Sequence, residues 1–376
     1  MGSMTSRFLA ALVLPVLAVA QNVTSPPSGD NQRTTVTQHV GLVTISVDYS
    51  SPRVHLAGKD RRGHIWGELV PWGMADLRFN NGKLSPWRAG ANQNTVFTVS
   101  HDVMVEDHPL PAGSYGIHMI PQKDEWTVIF SKESTAWGSF FYDPEKDFLR
   151  IAAKPVPHDY REWLTYDFPV REPDHARVEM QWEDLAVGWD IKVPNMNDLY
   201  LTKIRQELHN ASGFDRRGFE SAAQFTLQAN TDLDEGLSWI SAATKAPLAG
   251  DVGFSTLSTR YQLLDRLNRT GEAKQAMEEL ASMPGVTPQQ IHTLARQMQI
   301  AKKNEAAVAI YKLNAKRFGD AWPTNVGMGR AAALEGDDKM ALEYFRKAAA
   351  QAPDDLNRRN LQGFVKTLED GKPIAQ

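Results

Sequence analysis

The chain has 376 residues, 42% hydrophobic and 23% charged, a length that suits two domains and a composition that excludes fibres, disordered chains and bundles of membrane spans. Lys and Arg total 41 against 45 Asp and Glu, a formal net charge of −4, and no run of five or six like charges gives nucleic acid or a membrane surface a footprint. The lack of cysteine removes disulfides, thiol nucleophiles, thiolate metal sites and iron–sulfur clusters together.

At the N-terminus, Arg7, the apolar run Phe8 to Val19 and the small-x-small pattern Ala18-Val19-Ala20 predict a signal peptide over 1–20, cleaved after Ala20. The run is shorter than the roughly 20 residues that cross a bilayer. The mature chain is therefore expected to be periplasmic or secreted, with no membrane span. Residues 21–34, with Ser25-Pro26-Pro27-Ser28-Gly29-Asp30, read as a flexible leader.

From Thr35 the texture is that of strands. Val43 to Tyr49 alternates apolar and polar residues, and similar runs recur at Thr95–Val99, Ser114–Ile120, Trp126–Phe130 and Phe148–Ala152. Turn clusters at Glu106-Asp107-His108, Pro111-Ala112-Gly113 and Pro121 to Asp124 separate several of them, and two more strands fit Ala176–Trp182 and Ala186–Val193. Short strands at this spacing without intervening helices predict an antiparallel β-sandwich or barrel over 35–194.

Beyond Pro194 proline thins, alanine rises and apolar residues recur at helical spacing. Ala273, Ala307 and Ala341 are 34 apart, as are Met277, Tyr311 and Phe345, and Ala281, Ala315 and Ala349. This is the tetratricopeptide period, in which a helix pair that cannot bury its apolar face alone stacks on its neighbours. The segment 195–376 is thus expected to be an α-helical tetratricopeptide-like solenoid of about three and a half units. Gly271-Glu272 and Gly336-Asp337-Asp338 are placed at turns within pairs, Pro353-Asp354-Asp355 after a second helix, and Asp232 to Thr244 in a degenerate earlier unit.

The chain lacks a phosphate-binding glycine loop, an HExxH helix, a GxSxG elbow and a dinucleotide fingerprint. No cofactor is expected. The histidines show no short paired spacing of the sort metal sites use, so no metal is expected either. Two features remain. Arg88 and Asn92, four apart in a turn-rich segment, offer a guanidinium fork and an amide to one anionic or carbonyl-bearing ligand, or else fix loop backbone. His118 sits inside a strand on the face it shares with Gly116, where a backbone or a ligand can come close; it reads as an acid or base, or as a packed core side chain.

Five stretches in order carry a family resemblance: Leu69 to Gly73, Trp87 to Asn92, Leu110 to Tyr115, Trp126 to Lys132, and Trp137-Gly138 through Tyr142-Asp143. With these, residues 35 to 193 resemble the bacterial family known as domain of unknown function 2911. The resemblance implies an exported β-sandwich, often with a helical repeat tail, and no established activity. It gives Arg88 and Asn92 a place in a motif. Two departures stand out: Met74 to Pro86 is inserted between the second and first of those motifs, as a lid or rim, and position 118 is His where an apolar or aromatic residue is common.

The expected function is an exported binding or scaffold protein, its β domain taking a small ligand or partner and its helical array docking a protein. The alternative is a hydrolase or lyase using His118 as acid or base, with Arg88 and Asn92 holding the substrate.

Overall fold

The computed structural model describes residues 30–56, 58–244 and 252–374. The expected signal peptide and residues 21–29 of the expected leader lie outside the described residues. The chain divides into two compact units that meet at Met196 and Asn197.

In chain order the first unit contains β1 (Gln32–Val40), β2 (Val43–Ser51), β3 (His55–Leu56), β4 (Lys59–Asp60), β5 (Ala75–Asp76), β6 (Leu84–Ser85) and β7 (Thr95–Val99). There follow β8 (Val103–Val105), β9 (His108–Leu110), β10 (Gly113–Ile120), β11 (Trp126–Ser131), β12 (Asp147–Ala153), β13 (Val156–Arg171) and β14 (His175–Lys192). An antiparallel six-stranded sheet has the order β1-β2-β7-β10-β11-β12, and a four-stranded sheet has the order β13-β14-β8-β9.

Alternation explains how these sheets meet. Val43, Ile45 and Val47 of β2 are buried while Thr44, Ser46 and Asp48 are half-buried, so one side of the strand is apolar. Phe97 of β7 and Phe130 of β11 stand edge-on to Trp189 of β14, with ring centroids 6.2 and 5.8 Å apart. Tyr49 of β2 meets Tyr166 of β13 in the same way at 4.9 Å. The two sheets are thus packed face to face through large aromatics.

Three strands differ from expectation. β1 begins at Gln32, so Arg33 and Thr34 of the expected leader pair with Ser50 and Tyr49. It is an exposed, polar strand at the sheet edge, which leaves no apolar alternation to read. β13 has its buried residues, Leu164, Tyr166 and Phe168, in the middle of a long polar run with prolines near both ends. Ala176–Trp182 and all but the last residue of Ala186–Val193 are covered by one strand, β14, interrupted at Glu183, whose φ is 57°.

The second unit contains α1 (Met196–Leu208), α2 (Arg216–Ala229), α3 (Leu233–Ala243), α4 (Phe254–Arg266), α5 (Thr270–Ser282), α6 (Pro288–Ile300), α7 (Asn304–Phe318), α8 (Trp322–Leu334), α9 (Asp338–Ala350) and α10 (Asp355–Glu369). Successive helices pack as the pairs α2/α3, α4/α5, α6/α7 and α8/α9, with α10 against α9. That is four pairs and flanking helices among the described residues, rather than three and a half units. No described helix is long and apolar enough to cross a membrane.

The three periodic columns all lie on second helices, α5, α7 and α9. The first two are buried throughout, and Ala315 and Ala349 of the third are half-buried. Their rings fill gaps left by glycines: a Cβ on Gly327 would stand 2.6 Å from the Tyr311 ring, and one on Gly329 2.7 Å from the Phe345 ring. The turns inside α4/α5, α6/α7 and α8/α9 have their own column, Asn268, Lys302 and Gly336, all left-handed with φ of 58°, 59° and 78°. Gly271-Glu272, expected at a turn, belongs instead to the first turn of α5.

Gly329→Ala tests this interlock. In an open helix the change gains roughly 1 kcal/mol, whereas forcing a methyl into a packed core costs about 1–3 kcal/mol. Urea unfolding is expected to show net destabilisation; a gain of about 1 kcal/mol would mean that the Phe345 ring is free to move aside.

Candidate functional site

β10 places His118. One edge of β10 pairs with β11, with His118 opposite Ile129. The other edge pairs with β7 only as far as Ile117. Beyond that point the edge is taken by Trp87, whose amide donates to the Met119 carbonyl and whose carbonyl accepts from the Met119 amide, both at 2.8 Å. This antiparallel bridge carries Arg88 alongside His118.

Arg88 is then held from several sides. Its Nη1 donates to the Asn92 carbonyl at 2.8 Å, and its guanidinium lies over the Phe140 ring at 4.4 Å. A Cβ on Gly138, which has φ +66°, would come within 2.7 Å of that guanidinium. The loop between is fixed at Ala89, a left-handed alanine with φ of 53°. Its carbonyl accepts from Thr95 Oγ1 and from Tyr166 Oη, each at 2.9 Å. Left-handed backbone at an alanine costs about 1–2 kcal/mol, which these two bonds offset.

His118 is buried, and its Nδ1 is 2.8 Å from Ser139 Oγ. The Tyr142 ring stands edge-on to the imidazole at 5.4 Å. Burial, and then the Arg88 charge, push its pKa down to about 4. The imidazole is therefore neutral at pH 7 and a weak base. Ser139 is wholly buried, which withholds its hydroxyl from a substrate. The close approach expected at Gly116 is made by the protein itself: a Cβ there would be 2.3 Å from the Glu133 carbonyl, which accepts from Asn94 Nδ2.

Arg88 and Asn92 line an open cavity of about 330 Å³ together with Arg61, Ser85, Trp87 and Trp182. His118 lines a different one, of about 220 Å³, with Glu133, Gly138 and Tyr142. The three expected site residues are thus brought into one neighbourhood but not onto one cavity. Arg88 connects them, touching Gly138 on one side and the larger cavity on the other.

The larger cavity has a consistent chemistry. Arg61 donates from Nε to the Val54 carbonyl at 3.2 Å and from Nη2 to that of Arg53. Neither Arg61 nor Arg88 pairs with a carboxylate among the described residues, and no Asp or Glu lines the cavity. Ser85 Oγ, on a residue 2% exposed, has no hydrogen-bond partner there. The remaining wall is apolar, with Leu69, Val70 and Leu77 beside Trp87, which stacks on Trp182 at 6.3 Å.

The segment Met74–Pro86 supplies part of this wall as the short ribbon β5/β6. Its Phe79 packs edge-on against Phe140 at 4.8 Å, and its Asn80 Nδ2 donates to the Tyr142 carbonyl. The segment is therefore a rim braced on Phe140, the residue that carries Arg88. Arg61 and Ser85 escaped sequence reading because neither sits in a motif. Only the topology turns them toward Arg88.

Residues 31–191 match the family model described as "Protein of unknown function (DUF2911)". No curated protein matches the chain. Among solved structures, a tetratricopeptide repeat protein from Parabacteroides merdae ATCC 43184 is similar at 12% identity, covering 42% of this chain and 60% of that one, with a TM-score of 0.30. PilW, a type IV pilus biogenesis factor, is similar at 16% identity over 44% of this chain and 75% of its own, with a TM-score of 0.32. Pseudomonas aeruginosa PilF gives 16% identity, 45% and 74% coverage and a TM-score of 0.28. The chain spans 60% of the length of the first of these.

The depressed pKa of His118 has a pH consequence with a definite sign. Above pH 6.5 the imidazole is neutral folded or unfolded. Below it the unfolded chain takes up a proton that the folded site refuses until about pH 4, so this stability is lost as pH falls through that window. An NMR titration is expected to place the His118 midpoint near 4, and His118→Gln to reduce the loss of stability between pH 6.5 and 4. A midpoint near 6.5 would show the ring to be solvated.

Proposed function

We propose that this is an exported binding protein of two working parts. Its β unit takes a small ligand with an anionic head and an apolar body in the cavity between Arg61 and Arg88, and its helical array docks a protein segment. The observation that carries the first part is the pair of guanidiniums without carboxylate partners facing one apolar-walled cavity. A guanidinium fork recognises carboxylate or sulfonate in two-point fashion, and in a partly dry cleft that interaction counts for more than in water. The aromatic and aliphatic wall formed by Trp87, Leu69, Val70 and Leu77 suits the apolar body.

The enzyme alternative, with His118 as acid or base, has less support. An effective base at neutral pH has its pKa near 7, and the site holds His118 near 4. His118 also faces a cavity other than that of Arg88 and Asn92.

The helical repeats favour docking because stacked pairs present one continuous surface built from successive first helices. Export rests on the pattern over residues 1–20.

Two outcomes are expected. In calorimetry, octanoate binds the full chain, octylamine and octanol do not, and Arg61→Gln and Arg88→Gln each weaken octanoate at least tenfold; equal binding of octylamine, or no effect of either variant, contradicts the ligand class. In an expressing bacterium, mass spectrometry of the protein outside the cytoplasm finds an N-terminus at Gln21. Recovery from the cytoplasm with residues 1–20 intact contradicts export.

A further inference from the structure

The cavity of Arg61 and Arg88 is lined by two positive charges and no negative one. Other arginines of the β unit find a carboxylate, as Arg33, Arg150 and Arg177 do. Arg61 and Arg88 are held instead by neutral groups, the backbone carbonyls of Arg53, Val54 and Asn92 and the Phe140 ring. Burial lowers the pKa of Arg88, as it does for a cation partly stripped of water with no anion to compensate.

The two guanidiniums leave different edges open. Arg61 spends Nε and Nη2 on carbonyls, so its Nη1 has no hydrogen-bond partner among the described residues. Arg88 spends Nη1, so its Nε and Nη2, the edge that can grip two oxygens side-on, have none there. Ser85 Oγ, buried and unpartnered on a residue of the same wall, is a third donor.

A carboxylate brings one charge and two oxygens, which leaves one guanidinium uncompensated and the hydroxyl unmet. A phosphate monoester brings close to two charges at neutral pH and three terminal oxygens, so it matches both the cations and the donors. The wall of Trp87, Leu69, Val70 and Leu77 then suits the esterified body.

We propose that this cavity selects a phosphate monoester of an apolar alcohol, its head held between Arg61 and Arg88 with Ser85 donating to the third oxygen. This deepens the ligand part of the proposed function and rests on it. A dicarboxylate also carries two charges, but it spreads them over two heads, and the remaining wall of this cavity is apolar.

Calorimetry on the full chain with octyl phosphate, octyl sulfate, octanoate and octanedioate tests this. Octyl sulfate has the same tetrahedral head with one charge fewer. At neutral pH octyl phosphate is expected to bind roughly tenfold more tightly than octyl sulfate or octanoate, and inorganic phosphate, which lacks the body, to bind more weakly than octyl phosphate. Between about pH 5 and 7.5 the affinity for octyl phosphate is expected to rise, as the phosphate loses its second proton near pH 6. His118 stays neutral over that range and Asp60, beside Arg61, stays ionised. His55 and His64, whose pKa values are raised by Glu162 and Glu68, do change charge in it. Octyl sulfate, whose charge is fixed, reports their share.

Arg61→Gln and Arg88→Gln are each expected to shrink the preference for phosphate over sulfate to about twofold, because one cation then remains. Ser85→Ala is expected to weaken octyl phosphate more than octanoate. Arg88→Lys keeps the charge and is expected to keep the preference; it stands in should the Gln variant fail to fold, and the pH profile of the parent needs no variant.

Octyl sulfate or octanoate binding as tightly as octyl phosphate, with a flat pH profile, overturns the phosphate assignment and leaves the anionic-head reading standing. Tighter binding of octanedioate overturns it in favour of a two-headed acid. Inorganic phosphate binding as tightly as octyl phosphate would show a site for small anions and overturn the monoester. Binding of none of these ligands overturns the assignment and the ligand reading together.

Discussion

A two-bond bridge between Trp87 and Met119 organises the β unit. β10 loses its partner β7 after Ile117, and without Trp87 its edge would end in unpaired backbone groups. Closing that edge with a loop residue has consequences on both sides of the chain. It sets Trp87 into the aromatic cluster with Trp66, Trp126 and Trp182. It also sets Arg88, the next residue, against His118, Phe140 and Gly138. A guanidinium could not remain there if position 138 carried a side chain. The segment from 136 to 143 is therefore as much a part of the cavity as Arg88 itself.

The helical unit obeys a different constraint. Each pair is too thin to hide its apolar face, so the second helices offer small residues and one large side chain, Met277, Tyr311 or Phe345, and α8 leaves room for the two rings. Gly327 and Gly329 are the counterparts of Tyr311 and Phe345. Once the interior is fixed in this way, the positions that face outward along the first helices repeat at the same interval.

The sequence made legible what depends on periodicity. Period-two runs located β2, β7, β10, β11 and β12, and the 34-residue columns located α5, α7 and α9. It concealed elements whose residues answer to neighbours rather than to their own pattern. β1 is polar because it lies at an edge, and β13 because only the middle of it is covered. The turn column was invisible because Asn268 and Lys302 adopt left-handed backbone that only Gly336 advertises. Arg88, Asn92 and His118 were legible as candidates, yet sequence spacing cannot say which cavity a side chain faces. Arg61 and Ser85 join the site through the chain path alone, and His118 stands on the far side of Arg88 because the bridge at Trp87 runs antiparallel.

The central claim is that the cavity between Arg61 and Arg88 holds the anionic head of a ligand whose body lies along Trp87. A crystal structure of the full chain with octane-1-sulfonate tests it most directly. The account predicts sulfonate oxygens within hydrogen-bond distance of the Arg88 or Arg61 guanidinium and the alkyl chain against Trp87 and Leu77. A sulfonate bound elsewhere, with this cavity filled only by solvent, would contradict it.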